Sequence, residues 1–73
     1  MKHSEFRRVL SEEFGDAYAS VILRDHWLRS LAATGAEALA AGEPPRRVWL
    51  AICEEFAIPE SRRYGRGLLD ADE

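Results

Sequence analysis

The stretch from Asp16 to Ala33, DAYASVILRDHWLRSLAA, constrains this chain most, because it contains neither glycine nor proline while Gly15 and Gly35 punctuate the sequence on either side. At 1.5 Å per residue, a continuous helix over that stretch is about 27 Å long, roughly the width of a small domain. The spacing predicts one helix throughout, with the remaining elements packed around it.

At about 100° per residue, Ala17, Tyr18, Val21, Ile22, Leu28 and Ala32 share one broad face with Leu31 at its margin, and that face is expected to be core. Asp25 and Arg29 fall inside the same arc. A carboxylate at a core boundary must find donors. Asp25 and Arg29, one turn apart, therefore read as a polar tie between helices, with the Trp49 indole and free helix amides as further donors. Leu23 and Trp27 lie together on the opposite side, where they need either cover from this chain or a partner.

Before this stretch, Phe6, Val9, Leu10 and Phe14 recur at helical spacing and predict a helix from Met1 to Phe14, with Ser4 as its N-cap. Gly15 ends it, and Asp16 is expected to cap the next helix across a tight corner. After the stretch, Thr34 and Glu37 fit a capping box that opens a short third helix, which Gly42 stops. Glu43-Pro44-Pro45 is a rigid connection, because proline fixes φ and suits only the first turn of a helix. Val48, Trp49, Ile52, Cys53 and Phe56 then form the apolar stripe of a fourth helix, opposed by Arg47, Leu50 and Glu54 and broken at Ile58-Pro59.

From Glu60 onward no period persists, so at most one further helical turn and then a mobile tail are expected. Period-two alternation is absent, so no strand is expected. The predicted fold class is all-α: a compact bundle of about four short helices, one domain over residues 1–60, with a flexible tail over 61–73.

Function is far less constrained. A hydrophobic fraction of 47% with 32% charged residues places the chain among globular proteins, and a net charge of −3 argues against general affinity for nucleic acid. A single cysteine rules out an internal disulfide. No signal peptide, lipidation motif or apolar run of membrane-spanning length is evident, so a cytoplasmic location without membrane contact is expected. At 73 residues the core is small, and such a chain gains stability from a protein partner or from forming a homo-oligomer.

No catalytic residue, metal site or cofactor is predicted. Cys53 and His26 can be drawn as nucleophile and base, but Cys53 sits in an apolar stripe and nothing supplies an orienting group. One cysteine with His3 and His26 makes no zinc spacing, and Gly65-Arg66-Gly67 follows no strand as a phosphate loop would.

The segment Ala38, Gly42, Val48 has helix-turn-helix spacing, with Arg46, Arg47 and Leu50 at the start of the second helix where a DNA reader places its contacts. The two prolines, Glu43 and Glu54-Glu55 oppose that reading. Arg62-Arg63-Tyr64-Gly65-Arg66-Gly67 is a short basic stretch with one aromatic, followed by acids, and reads as a solvated tail over an RNA contact.

In order and spacing, Glu5-Phe6, Phe14-Gly15-Asp16-Ala17-Tyr18-Ala19, Asp25-His26, Leu28, Thr34, Glu37 to Gly42, Val48-Trp49, Cys53, Pro59 and Arg62 resemble the short actinobacterial proteins grouped as DUF3046, a domain of unknown function. The resemblance implies a helical cytosolic protein without assigned activity, often encoded near recombination and DNA-repair genes. It carries over no site residue. The expected function is a non-enzymatic interaction or regulatory module whose contact surface draws on Leu23, Trp27, Arg46, Arg47 and Leu50. The alternative is a helix-turn-helix-like DNA-binding protein.

Overall fold

The computed structural model of the chain describes residues 1–63. Along them run α1 (His3–Phe14), α2 (Asp16–Asp25), β1 (Trp27–Leu28), β2 (Ala33–Thr34), α3 (Gly35–Ala40), α4 (Pro45–Glu55) and a single 3₁₀ turn (Glu60–Arg62). The four short helices form the all-α bundle that the spacing required, and of the tail expected over 61–73, residues 64–73 lie outside the described residues.

In α1 the apolar spacing becomes burial directly: Phe6, Val9 and Leu10 are buried and Phe14 is half-buried. Its N-cap is Lys2 without a side-chain bond, so Ser4 lies inside the first turn and does not cap. Gly15 adopts φ 85° and ψ 154°, a region open essentially to glycine. Its amide donates to the Ser11 carbonyl at 2.7 Å, and α2 starts at the next residue. Asp16 is accordingly the first helical residue and no N-cap; its carboxylate accepts from Ser11 Oγ at 2.7 Å, bracing the corner.

The largest departure from expectation is α2, which stops at Asp25 and not Ala33. His26 is extended at φ −83° and ψ 122°. Residues beyond it form a small antiparallel ribbon, with Trp27 opposite Thr34 and Leu28 opposite Ala33, although no strand was expected. The reason is tertiary. In a continued helix, Leu28 would point roughly 120–140° away from Ile22 and Leu23 around the axis. Breaking the helix lets Leu28 enter the core, where it is fully buried. The turn is closed by the amides of Leu31 and Ala32 on the Leu28 carbonyl, at 3.1 and 2.8 Å.

The same break rotates the core face. Ala19 and Ile22 are buried and Leu23 packs against the core, whereas Tyr18 and Val21, expected inside, are exposed. Leu28 and Ala32 had weighted the helical wheel toward the wrong side; without them, Ala19, Ile22 and Leu23 define the face. Leu23 is thus covered by this chain. It meets α3 at Gly35, where an added Cβ would lie 2.8 Å from Leu23 Cδ1 and 3.5 Å from Val48 Cγ1. The Asp25–Arg29 tie is corrected too. Asp25 is exposed and pairs with its neighbour Arg24 at 3.3 Å, and Arg29 belongs to the ribbon turn and is not one helical turn further on.

The capping box forms as expected, with Glu37 N–H on Thr34 Oγ1 at 3.2 Å and Thr34 N–H on Glu37 Oε1 at 3.1 Å. Pro45 opens α4 at its first position. Val48, Trp49, Ile52 and Cys53 are fully buried among Phe6, Val9 and Leu28, while Phe56 is half-buried. After α4 the chain reverses at Ala57, Ile58 is buried, and Arg62–Arg63 return to the bundle. Arg62 grips Glu13 through Nη2 at 2.8 Å and Nε at 3.3 Å, and Trp49 Nε1 donates to the Arg63 carbonyl.

Candidate interaction surface

The ribbon separates the residues that sequence spacing had paired. In β1 the side chains alternate, so Leu28 points inward and Trp27 outward. Leu23 faces the core. The exposed large apolar side chains among the described residues are Tyr18 (53%), Val21 (42%) and Trp27 (55%). Tyr18 and Val21 lie one turn apart on α2 and were missed as surface groups. A signal was available: Asp25, four residues after Val21, lies on the same helical row, and a charge there marks the solvent face.

Tyr18 is the outer end of a row of rings. Its ring meets Phe14 edge-on at 5.8 Å between centroids; Phe14 meets Phe56 at 5.1 Å, and Phe56 meets His26 at 4.7 Å. These separations are those of favourable aromatic contacts. The row joins the α1–α2 corner to the end of α4 and holds Tyr18 in place from below. At its far end, His26 Nε2 lies 3.5 Å from Glu55 Oε2 without hydrogen-bond geometry.

Arg46 and Arg47 are exposed at the start of α4, and Leu50 is half-buried. Arg47 is engaged by Glu43 at 3.4 Å. Arg47, Leu50, Ala51 and Glu54 line one wall of a shallow cleft of about 200 Å³ whose other wall is Ser30 and Leu31 of the ribbon turn. This cleft carries charges of both signs at its mouth. A second cleft, of about 160 Å³, lies between α1 and α2 and is lined by Arg7, Leu10, Ser11, Asp16, Ala19, Ser20 and Leu23.

Cys53 is fully buried, and burial pushes its thiol up to about 11, with the nearby Arg63 offsetting part of the effect and Glu13 and Glu54 adding to it. It is a protonated thiol at neutral pH, whereas a cysteine nucleophile needs the opposite shift. His26 is occupied with Phe56 and Glu55. Among the described residues no group of three or more His, Cys, Asp or Glu side chains is placed to hold a metal ion, and no helix is long and apolar enough to cross a membrane. In the basic stretch, Arg62 is paired with Glu13 and Arg63 Nε donates to the Ile58 carbonyl at 3.0 Å; residues from Tyr64 onward lie outside the described region.

Fold and surface together define a small domain whose described residues form four helices and a two-stranded ribbon, with large apolar groups exposed on α2 and on β1. The chain belongs to the family described as a protein of unknown function (DUF3046), which matches residues 1–61 and so reaches into the final 3₁₀ turn. No curated protein and no solved structure matches it.

Proposed function

We propose that the chain is a non-enzymatic protein-interaction module of the cytoplasm, and that Tyr18, Val21 and Trp27 contribute the apolar contacts to a protein partner. The observation that carries this reading is the exposure of three large apolar side chains on α2 and β1 in a chain so short of core. Burying such groups is worth about 1.5–3 kcal/mol each, and aromatic residues with a polar tip are favoured at interfaces. Leu23, expected earlier to share this surface, serves the core instead.

A photo-crosslinking residue placed at Tyr18 or Trp27, with Ala36 as an exposed control position, tests the reading in cells. The expected result is a protein adduct of defined mass from the first two positions that survives nuclease treatment; the adduct from position 18 should disappear with Trp27→Glu, while the Tm of that variant stays put. Adducts equal at all three positions, or lost to nuclease, would refute it.

The alternative reading, DNA binding through α3 and α4, rests on the exposure of Arg46 and Arg47 at the start of the second helix. Against it, Glu43 already engages Arg47 and Glu54 is exposed on the same helix. That reading requires affinity for duplex DNA that falls steeply with salt and is lost on Arg46→Ala with Arg47→Ala.

A further inference from the structure

We infer that residues Ile58–Arg63 form a strap over α4 that opens as a unit from a hinge at Ala57, uncovering Trp49 and Cys53 while the rest of the bundle stays folded. The hinge holds strain in the closed state: Ala57 sits at φ 53°, where a residue with a Cβ is disfavoured by roughly 1–2 kcal/mol. Among the described residues the fastenings are few. Ile58 is the buried side chain of the strap, whereas Pro59, Glu60, Ser61 and Arg62 are exposed. Beyond it there are the Arg62–Glu13 ion pair, with the arginine side chain 58% exposed and the glutamate 17%, and the Trp49 indole bond to the Arg63 carbonyl. Among the described residues the segment is held by one fully buried side chain, the half-buried Arg63, one ion pair whose arginine faces solvent and a few hydrogen bonds, which places it toward the low end of the range of local opening free energies.

What lies beneath differs in kind. Trp49 and Cys53 stand one turn apart on α4 and are fully buried. The Trp49 indole donates to the Arg63 carbonyl and the Ile58 amide to the Cys53 carbonyl at 2.9 Å, so the strap leaves and returns to the stretch of α4 that carries both residues. Ile58 is the one strap residue in the buried core, whose other members, Phe6, Val9, Leu28, Val48 and Ile52 among them, belong to the helices and to β1. Opening at Ala57 therefore bares one face of α4 without requiring α1 to leave the bundle.

The chain has one cysteine, so alkylation of the full-length protein by iodoacetamide reads the opening directly. Under native conditions, Cys53 is expected to be alkylated at a rate that hardly changes with low concentrations of urea, because local opening exposes little surface. Arg62→Ala and, separately, Glu13→Gln should accelerate labelling about two- to fivefold, the range for a partly exposed ion pair. Exchanging the charges, Arg62→Glu with Glu13→Arg, should bring the rate back toward wild type. A labelling rate that follows urea with the full slope of global unfolding in wild type or in either single variant overturns the strap, as does a rate indifferent to both single substitutions.

Discussion

Two helices of this chain end in the same hydrogen-bond pattern and differ in the residue that makes the turn. After α3, Gly42 N–H reaches the Leu39 carbonyl and Glu43 N–H the Ala38 carbonyl, both at 3.0 Å; after α4, Ala57 N–H reaches Glu54 at 3.3 Å and Ile58 N–H reaches Cys53 at 2.9 Å. Each is a Schellman closure, which needs a left-handed residue at its turn. Gly42 takes φ 98° without penalty, while Ala57 is held at 53° by its surroundings. Ala57→Gly is therefore expected to stabilise the protein by about 0.5–1 kcal/mol, a Tm rise on the order of 4 °C, and Gly42→Ala to destabilise it by about as much. Equal Tm values for both variants and wild type in a calorimetric scan would contradict this. Asp25 gives the opposite kind of result: it is exposed, pairs with its neighbour Arg24 and ends a helix where the dipole disfavours an acid. Asp25→Ala should change stability by less than about 0.5 kcal/mol.

At the scale of elements, the helices legible in the sequence were those closed by local chemistry. Gly15, the Thr34–Glu37 box, Gly42 and Pro45 each fix a boundary within one turn of themselves: the first closes α1, the next two bracket α3 and the last opens α4. The end of α2 has no such marker. Asp25-His26-Trp27-Leu28 contains neither glycine nor proline, and the helix stops there because the core takes Leu28 from a strand and not from a helix. Propensity within the segment is silent about that choice, since the decisive contacts lie on α4, distant in sequence. The ribbon makes a sharp prediction about its two neighbouring residues. Leu28→Ala removes a fully buried side chain and should destabilise by about 2–5 kcal/mol, whereas Trp27→Ala, on the outward face, should have little effect on Tm. Urea denaturation of the pair measures this; in a helix continued past Asp25 with Ile22 and Leu23 still inward, Trp27 would face the core and Leu28 solvent, and the two effects would be reversed.

For the whole molecule, the exposed surface was less legible than the core because it is what remains once the core is chosen. A rotation of α2 by about a third of a turn, caused by Leu28 leaving the helix, was enough to bring Leu23 inside and put Tyr18 and Val21 outside. Trp27 stayed exposed through the alternation of β1, a different reason from the helical one that spacing suggested. Arg46 and Arg47 were legible as surface because their positions depend only on the phase of α4, set by Pro45 and the stripe from Val48 to Cys53. The same stripe couples the whole fold to pH. Cys53 has an ordinary value of 9.0, which applies to the unfolded chain, and about 11 in the folded one. Between those values the folded state holds the proton while the unfolded state has lost it, so stability is fully present below pH 9 and falls as pH rises toward 11. Linkage sets the loss at about 1.4 kcal/mol per pH unit across that window. The comparison that isolates the thiol is with Cys53→Ala. That variant should start lower because of the space left in the core, and its urea midpoint should then decline less steeply than wild type above pH 9. Parallel curves for the two proteins from pH 8 to pH 11 would mean that the thiol is hydrated in the folded state, and with it the face of α4 beneath the strap.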